Sequence, residues 1–427
     1  MGAGGSAPND DGTPSRGGRP RLGTAYWRLW TSSGLSNLAD GTIKVALPLV
    51  AVGFTRSPLL IAGLTLAVRL PWLLFALPAG ALADRLDRRR AMLGANTLRA
   101  VLLGVLAATV VLDLGSIWTL YVVAFGIGAA ETVYDTSAQA ILPQIVGRDQ
   151  LPRANGRLYM AELTTSEFVG PPLAGFLVAA GVAAAFTIPA ALWAIAVAAL
   201  LLVPGPFRVE RARGGTIRAD IAEGVRFIRR HRLLRTLAIM VGISNFTASA
   251  MMAIFVLYAV GPTSPMGLSE QAYGLLLTSA AAGSVLGSLV AEQISRKLGR
   301  ARTLTLTLLG HVLLVGVPAV TTNPFLIGAA LFVSATGGVT WNVLTVSLRQ
   351  RITPDRLLGR ANSVHRLVAW GTLPLGAAAG GLLAQLFGLR TVFVVMALVS
   401  LGLLAGMPLL TDDRLRAAER DAERQRR

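Results

Sequence analysis

Cysteine is absent from the 427 residues, lysine occurs only at Lys44 and Lys297, and histidine only at His231, His311 and His365. Without thiols there is no disulfide framework, no thiolate metal site and no cysteine nucleophile. Neither lysine follows a glycine, which excludes the phosphate-cradling Gly-Lys loop of an ATP-driven machine. No histidine is followed by the glutamate of a zinc-hydrolase helix, and no Gly-x-Ser-x-Gly elbow occurs, so catalysis is not expected. Charge is also scarce, at 15% of residues, where soluble domains carry about 25%.

What fills the chain instead is apolar: 53% of residues, with a mean hydropathy of +0.59. The apolar residues come in long runs, and a helix needs about 20 of them to cross the hydrocarbon core of a bilayer. Runs near 26–52, 58–82, 91–112, 117–140, 157–180, 184–204, 236–260, 270–294, 303–320, 325–348, 363–386 and 390–410 predict twelve spans. Turn-rich connectors such as Thr55-Arg56-Ser57-Pro58 and Thr322-Asn323-Pro324 separate them. The expected organisation is a Gly/Ser/Pro-rich tail at 1–24, a six-helix half at 25–204, a linker at 205–235, a second half at 236–411 and a tail at 412–427. In the linker, Ile217, Ile221, Val225 and Ile228 recur at helical spacing among arginines, predicting an amphipathic helix on the membrane face or in solvent.

The net charge of +18 rests on 38 arginines and two lysines. With the N-terminus inside, 34 of these 40 fall in cytoplasmic segments and only Arg56 and Arg390 outside. Lys44, Arg69, Arg99 and Arg366 remain within spans. Such a bias is what the positive-inside rule demands, so nucleic acid is not an expected partner and both termini are expected in the cytoplasm. The arginine excess points to a bacterial inner membrane, and the expected oligomeric state is a monomer.

The halves resemble each other. Gly80-Ala-Leu82 before Arg88-Arg89-Arg90 is echoed 207 residues on by Gly287-Ser-Leu289 before Arg296-Lys297, and Ala154-Asn155 by Ala361-Asn362 at the same offset. Parallel repeats of six spans produce this weak self-similarity.

The loop Gly80-Ala-Leu-Ala-Asp84-Arg85-Leu-Asp87-Arg88-Arg89-Arg90 resembles the signature of the major facilitator superfamily, with Asp87 standing where the family usually has glycine. Glu167-Phe-Val-Gly170-Pro171-Pro172-Leu-Ala-Gly175 is similar to the Gly-Pro motif of its twelve-span drug:proton antiporters, a branch that includes macrolide, tetracycline and siderophore exporters. The resemblance implies an all-α membrane protein with twelve transmembrane helices in two six-helix pseudo-symmetric halves. It implies a cytoplasmic latch at Gly80, Asp84, Arg85, Arg88 and Arg89, and helix bending at Gly170, Pro171, Pro172 and Gly175. The function implied is secondary active transport, export of a drug or other amphipathic small molecule, with no cofactor and the proton as coupling ion. Siderophore, lysophospholipid or nutrient carriage are the alternatives.

Ionisable groups inside a bilayer are costly and call for a use. All mid-span carboxylates fall in the first half, so proton coupling is expected of Asp40, Glu131, Glu162 and Glu167, with Lys44, Arg69 and Arg99 as charge partners. Counting depth along the helices groups Asp40, Arg69 and Glu167, and pairs Arg99 with Glu131. Spans that combine aromatic and polar residues nominate Asn37, Asn245, Trp341, Asn342, His365 and Trp370 for the substrate cavity, while His311 reads as a packed polar residue.

Overall fold

The computed structural model describes residues 22–83, 87–147, 150–205, 207 and 217–426, almost all of them helical. Spans one to four are α1 (Thr24–Phe54), α2 (Pro58–Ala83), α3 (Arg88–Val111) and α4 (Ile117–Ile145). Span five is composite: α5 (Leu151–Glu162), a π-helical segment (Leu163–Val169) and α6 (Gly170–Ala180). Span six is α7 (Val182–Leu201), and α8 (Ile217–Arg230) follows in the linker. Spans seven to eleven are α9 (Arg232–Ala259), α10 (Glu270–Leu298), α11 (Arg300–Val320), α12 (Pro324–Ile352) and α13 (Asp355–Phe387). Span twelve is α14 (Leu389–Gly402) with a 3₁₀ turn (Leu403–Leu409), and α15 (Asp412–Arg426) ends the chain. Eleven helical runs are singly long and apolar enough to cross a membrane, and the interrupted span five is the twelfth.

Packing repeats between the halves. In the first, α1 lies on the π segment and α6, α2 on α4, and α3 on α7; in the second, α9 lies on α13, α10 on α12, and α11 on α14. The halves meet along two seams, α2 against α13 and α6 against α10. The second seam is tight because it is built from small residues. A Cβ on Gly175 would run into the Glu270 carbonyl, and one on Gly274 into that of Pro171. Close backbone approach of this kind is how helices associate in a medium as apolar as their side chains.

Among the described residues, the core is shared by both halves at one end. A single apolar cluster unites Ile43, Leu47 and Ile61 of the first half with Phe255, Tyr258 and Ala384 of the second, at the end away from the chain termini. At the terminal end each half has its own cluster, one around Tyr26, Met92 and Phe207 and one around Leu234, Leu348 and Leu415. Among the described residues, one core cluster joins the halves at the far end, and none spans both at the terminal end.

The linker helix differs from expectation. Of its apolar residues, Val225 and Ile228 (6% exposed) pack on α9 and α13 with Ala238, Ala361 and Val364, Glu223 forms an ion pair with Arg360, and the side chains of Ile217 and Ile221 lie outside the described residues. Val225 and Ile228 are thus covered by protein.

Candidate functional site

The first half encloses a cavity of ≈ 160 Å³. Asn37, Asp40 and Lys44 reach it from one face of α1, being three and four residues apart. Arg69 enters from α2, Glu131 and Asp135 from successive turns of α4, Glu162 from the end of α5, and Glu167 from the π segment. All four expected coupling carboxylates therefore line one chamber, with Asp135 as a fifth that the sequence reading left unranked.

The π segment has a local cause. Pro171 and Pro172 lack amide hydrogens and crowd the preceding carbonyls, so the regular ladder fails there and the Gly170 amide reaches back five residues to Thr165. The widened turn brings Glu167 toward α1. Gly170 faces Gly41 so closely that a Cβ on either would collide with backbone, and α1 and span five touch main chain to main chain.

Two ion pairs organise the chamber. Lys44 Nζ lies 2.8 Å from Glu167 Oε1, with both side chains about half exposed to the cleft. Arg99 Nη1 lies 3.2 Å from Asp40 Oδ1 and 3.3 Å from Oδ2, and this guanidinium is wholly buried. Arg99 is wedged between the rings of Tyr134 (5.2 Å to the centroid) and Trp193 (5.4 Å), with Ser36 Oγ and Asn96 Oδ1 each 3.4 Å from Nη1. Its Nε and Nη2 find no acceptor among the described protein atoms.

These pairings correct the expected ones. Arg99 joins Asp40 and not Glu131, and Glu167 joins Lys44 and not Arg69. Counting residues from a helix end locates Cα atoms but ignores where a long side chain is aimed. Arg99 points along the Tyr134–Trp193 slot to α1. Among the described residues, Arg69, Glu131, Asp135 and Glu162 form no ion pair.

The second half holds a larger cavity of ≈ 480 Å³, and Asn245, Trp341, Asn342, His365 and Trp370 all line it. Asn37 is the exception among the expected cavity residues, belonging to the first-half chamber. Asn245 Nδ2 donates to the Ala369 carbonyl at 2.7 Å, fixing its amide on α13. His311 borders the same space, yet its Nε2 is held 2.8 Å from Thr247 Oγ1, as a packed polar residue would be. Arg349 and Arg366 also line the cavity. Arg366 lies over both Trp370 (5.4 Å) and Trp72 of the first half (6.0 Å), whose rings are 4.5 Å apart across the α2–α13 seam. Trp72 and Arg349 carried no signal in the sequence, since each sits at the edge of a motif-free stretch.

At the terminal end, Asp84 and Arg85 lie outside the described residues, as do the surroundings of Gly80. The rest of the loop motif is anchored. Asp87 caps α3 by accepting the Arg90 amide at 3.0 Å, and its other oxygen accepts the Phe207 amide at 2.8 Å. Burial pushes the Asp87 carboxyl up, but the Phe207 and Arg90 amides and the Arg90 charge outweigh it and hold it below the usual carboxylate range. Arg88 closes the contact from the other side, its amide donating to the Phe207 carbonyl. Arg89 Nε donates to the Leu200 carbonyl at 3.0 Å and Nη2 to that of Leu201, and Arg28 reaches the carbonyl of Leu202. Cationic donors on the last carbonyls of α7 satisfy its dipole and its orphan acceptors. The departure at Asp87 is thus a helix cap and a link to the segment of chain leaving span six.

Comparison with known proteins agrees with this architecture. A family described as transmembrane secretion effector, within the major facilitator superfamily, matches residues 20–427. The multidrug efflux pump Tap of Mycolicibacterium fortuitum is 29% identical over 375 residues, covering 84% of this chain and 89% of that protein. Tap of Mycobacterium tuberculosis (strain ATCC 25618 / H37Rv) is 28% identical over 392 residues, covering 86% and 89%. Among solved structures, the nucleoside transporter NupG superposes with a TM-score of 0.71 at 15% identity, over 91% of this chain and 100% of that one. A bacterial homologue of the iron transporter ferroportin, in its inward-facing state, gives 0.71 at 16% identity, over 91% and 98%. With its twelve spans in two matching halves and a family match along nearly its whole length, the chain belongs to the transmembrane secretion effector family of major facilitator transporters.

Proposed function

We propose that the protein exports an amphipathic small molecule from the cytoplasm in exchange for protons, by alternating access of a cleft between its halves. One observation carries the coupling claim: five carboxylates line a single chamber of the first half, where only Lys44 and Arg69 supply cationic lining. Surplus acids in such a place are costly unless one of them cycles its proton. Asp40 is the first candidate, because its partner Arg99 is buried and cannot follow it into solvent; Glu131, Glu162 and Glu167 surround it. The separate clusters at the terminal end support an inward-facing state, and the arginines on the side of both termini support a cytoplasmic location for that side and residence in the inner membrane. The efflux names of the Tap relatives support export of drug-like compounds.

The test uses purified protein in proteoliposomes under an imposed pH gradient, with a panel of amphipathic dyes and antibiotics. Gradient-dependent flux that collapses in the Asp40→Asn/Glu131→Gln variant is expected. Flux insensitive to the gradient, or unchanged in that variant, sinks the proposal.

A further inference from the structure

The two cavities carry opposite charge. The first-half chamber has its excess of carboxylates, whereas among the described residues the second-half cavity is lined by Arg349 and Arg366 and by no acidic residue. Neither guanidinium has a carboxylate within ion-pair distance among the described residues. Arg349 is nine-tenths buried (8% exposed), and its one polar partner, Asn362 Oδ1 at 2.8 Å, is neutral. Arg366 lies 5.4 Å from the Trp370 ring and 6.0 Å from that of Trp72, and among the described residues it forms no ion pair. A buried cation without a counter-charge, as Arg349 is among the described residues, is expensive, and with Arg366 exposed to the same polar cavity the pair is built for an incoming anion. Trp341 of α12 lines the same cavity and supplies an aromatic surface for an aromatic or alicyclic body, whereas the Trp370 ring is already packed against Trp72 and Arg366.

We propose that the second-half cavity binds the anionic oxygen group, a carboxylate or its equivalent, of an amphipathic substrate whose ring system lies against Trp341. The proposal rests on the transport reading and deepens it: a cationic group on the same molecule would face the acidic chamber across the cleft, so zwitterions and amphipathic acids are preferred over simple lipophilic cations.

The experiment is calorimetric titration of the detergent-purified full chain with two probes that share a ring and differ in charge, naphthalene-2-carboxylate and naphthalen-2-ylmethylammonium. The carboxylate is expected to bind at least tenfold more tightly than the ammonium. Arg366→Gln should weaken the carboxylate at least tenfold and leave the ammonium unchanged, while Arg366→Lys recovers part of the loss. Arg349→Gln should act in the same direction, and because Arg366 is exposed to the cleft, its variants keep the test decisive if the buried substitution fails to fold. Equal affinity for the probes, preference for the ammonium, binding of neither, or carboxylate affinity unchanged by Arg366→Gln overturns the proposal. Binding is read without a gradient, so anion recognition can stand where proton-coupled flux fails, and the reverse.

Discussion

Lys44 of α1 and Glu167 of the π segment are joined at 2.8 Å across the mouth of the acidic chamber, with 44% and 51% of their side chains exposed. A pair so open contributes only about 0–1 kcal/mol to stability. Its location between α1 and the one irregular turn of span five makes it a contact that rearrangement of the cleft would break and remake. Lys44→Gln and Glu167→Gln are therefore expected to melt close to the parent protein in detergent while losing at least tenfold in gradient-driven flux. The charge-reversed double variant, Lys44→Glu with Glu167→Lys, should recover more flux than either single change. A folded double variant no better than the singles would show that the pair is not acting as a pair.

The Asp40–Arg99 pair behaves differently because Arg99 is fully buried. Removing one partner of a buried pair costs about 3–5 kcal/mol when the other charge is stranded. The two partners are not equivalent, since a carboxyl can neutralise itself by taking up a proton and a guanidinium cannot lose one. Asp40→Leu should thus lower the melting temperature more than Arg99→Met, although arginine is the larger side chain and fills the slot between Tyr134 and Trp193. Melting curves of the two variants at neutral pH decide it; a larger loss for Arg99→Met would mean that packing of the guanidinium outweighs its charge.

The comparison of these pairs marks where sequence reasoning stopped. Span positions were legible because crossing hydrocarbon imposes a length and a composition, and the 207-residue offset divided the chain because the halves repeat the same packing. The second-half cavity was legible from Asn245, Trp341, Asn342, His365 and Trp370, since polar groups beside aromatics inside a bilayer have few other uses. Which acid met which base was not, because partner choice depends on side-chain direction across three helices. Bending of span five at Gly170, Pro171, Pro172 and Gly175 was expected, but the π-helical register of Leu163–Val169 just before them is a detail that hydropathy does not record. The linker helix displayed its apolar face in sequence, but nothing local to it revealed that Val225 and Ile228 would pack on α9 and α13 and not face lipid or solvent.

Asp87 supplies a pH-dependent prediction. Its carboxylate accepts the Phe207 and Arg90 amides and is held below its ordinary value of 3.8. A group depressed in the folded state stabilises the fold above the ordinary value and loses that contribution as pH falls through the folded one. Loss of such a cap costs about 0.5–2 kcal/mol. Asp87→Ala should therefore melt lower than the parent at pH 6, with the gap narrowing below pH about 4. Melting scans in matched detergent across that range check it, and a gap independent of pH would assign the effect to packing.

The last helix holds the terminal end of the second half together by two means of unequal weight. Glu419 bridges Arg300 of α11 at 2.7 Å and Arg351 of α12 at 3.4 Å, and Asp412 accepts the Ala301 amide at 3.1 Å, so α15 straps two neighbouring spans together. Beneath these polar ties Leu415, 1% exposed, fills the cluster formed by Leu234, Leu348 and Leu410. Burial of a leucine is lost together with a cavity when it is cut to alanine, at about 2–5 kcal/mol, whereas a partly exposed ion pair is worth about 0–1 kcal/mol. Leu415→Ala is accordingly expected to lower the melting temperature several times more than Glu419→Gln, and high salt should erase the effect of the second and not of the first. If Glu419→Gln proves the more damaging, α15 is held by its charges, and the apolar cluster under it is already complete without Leu415.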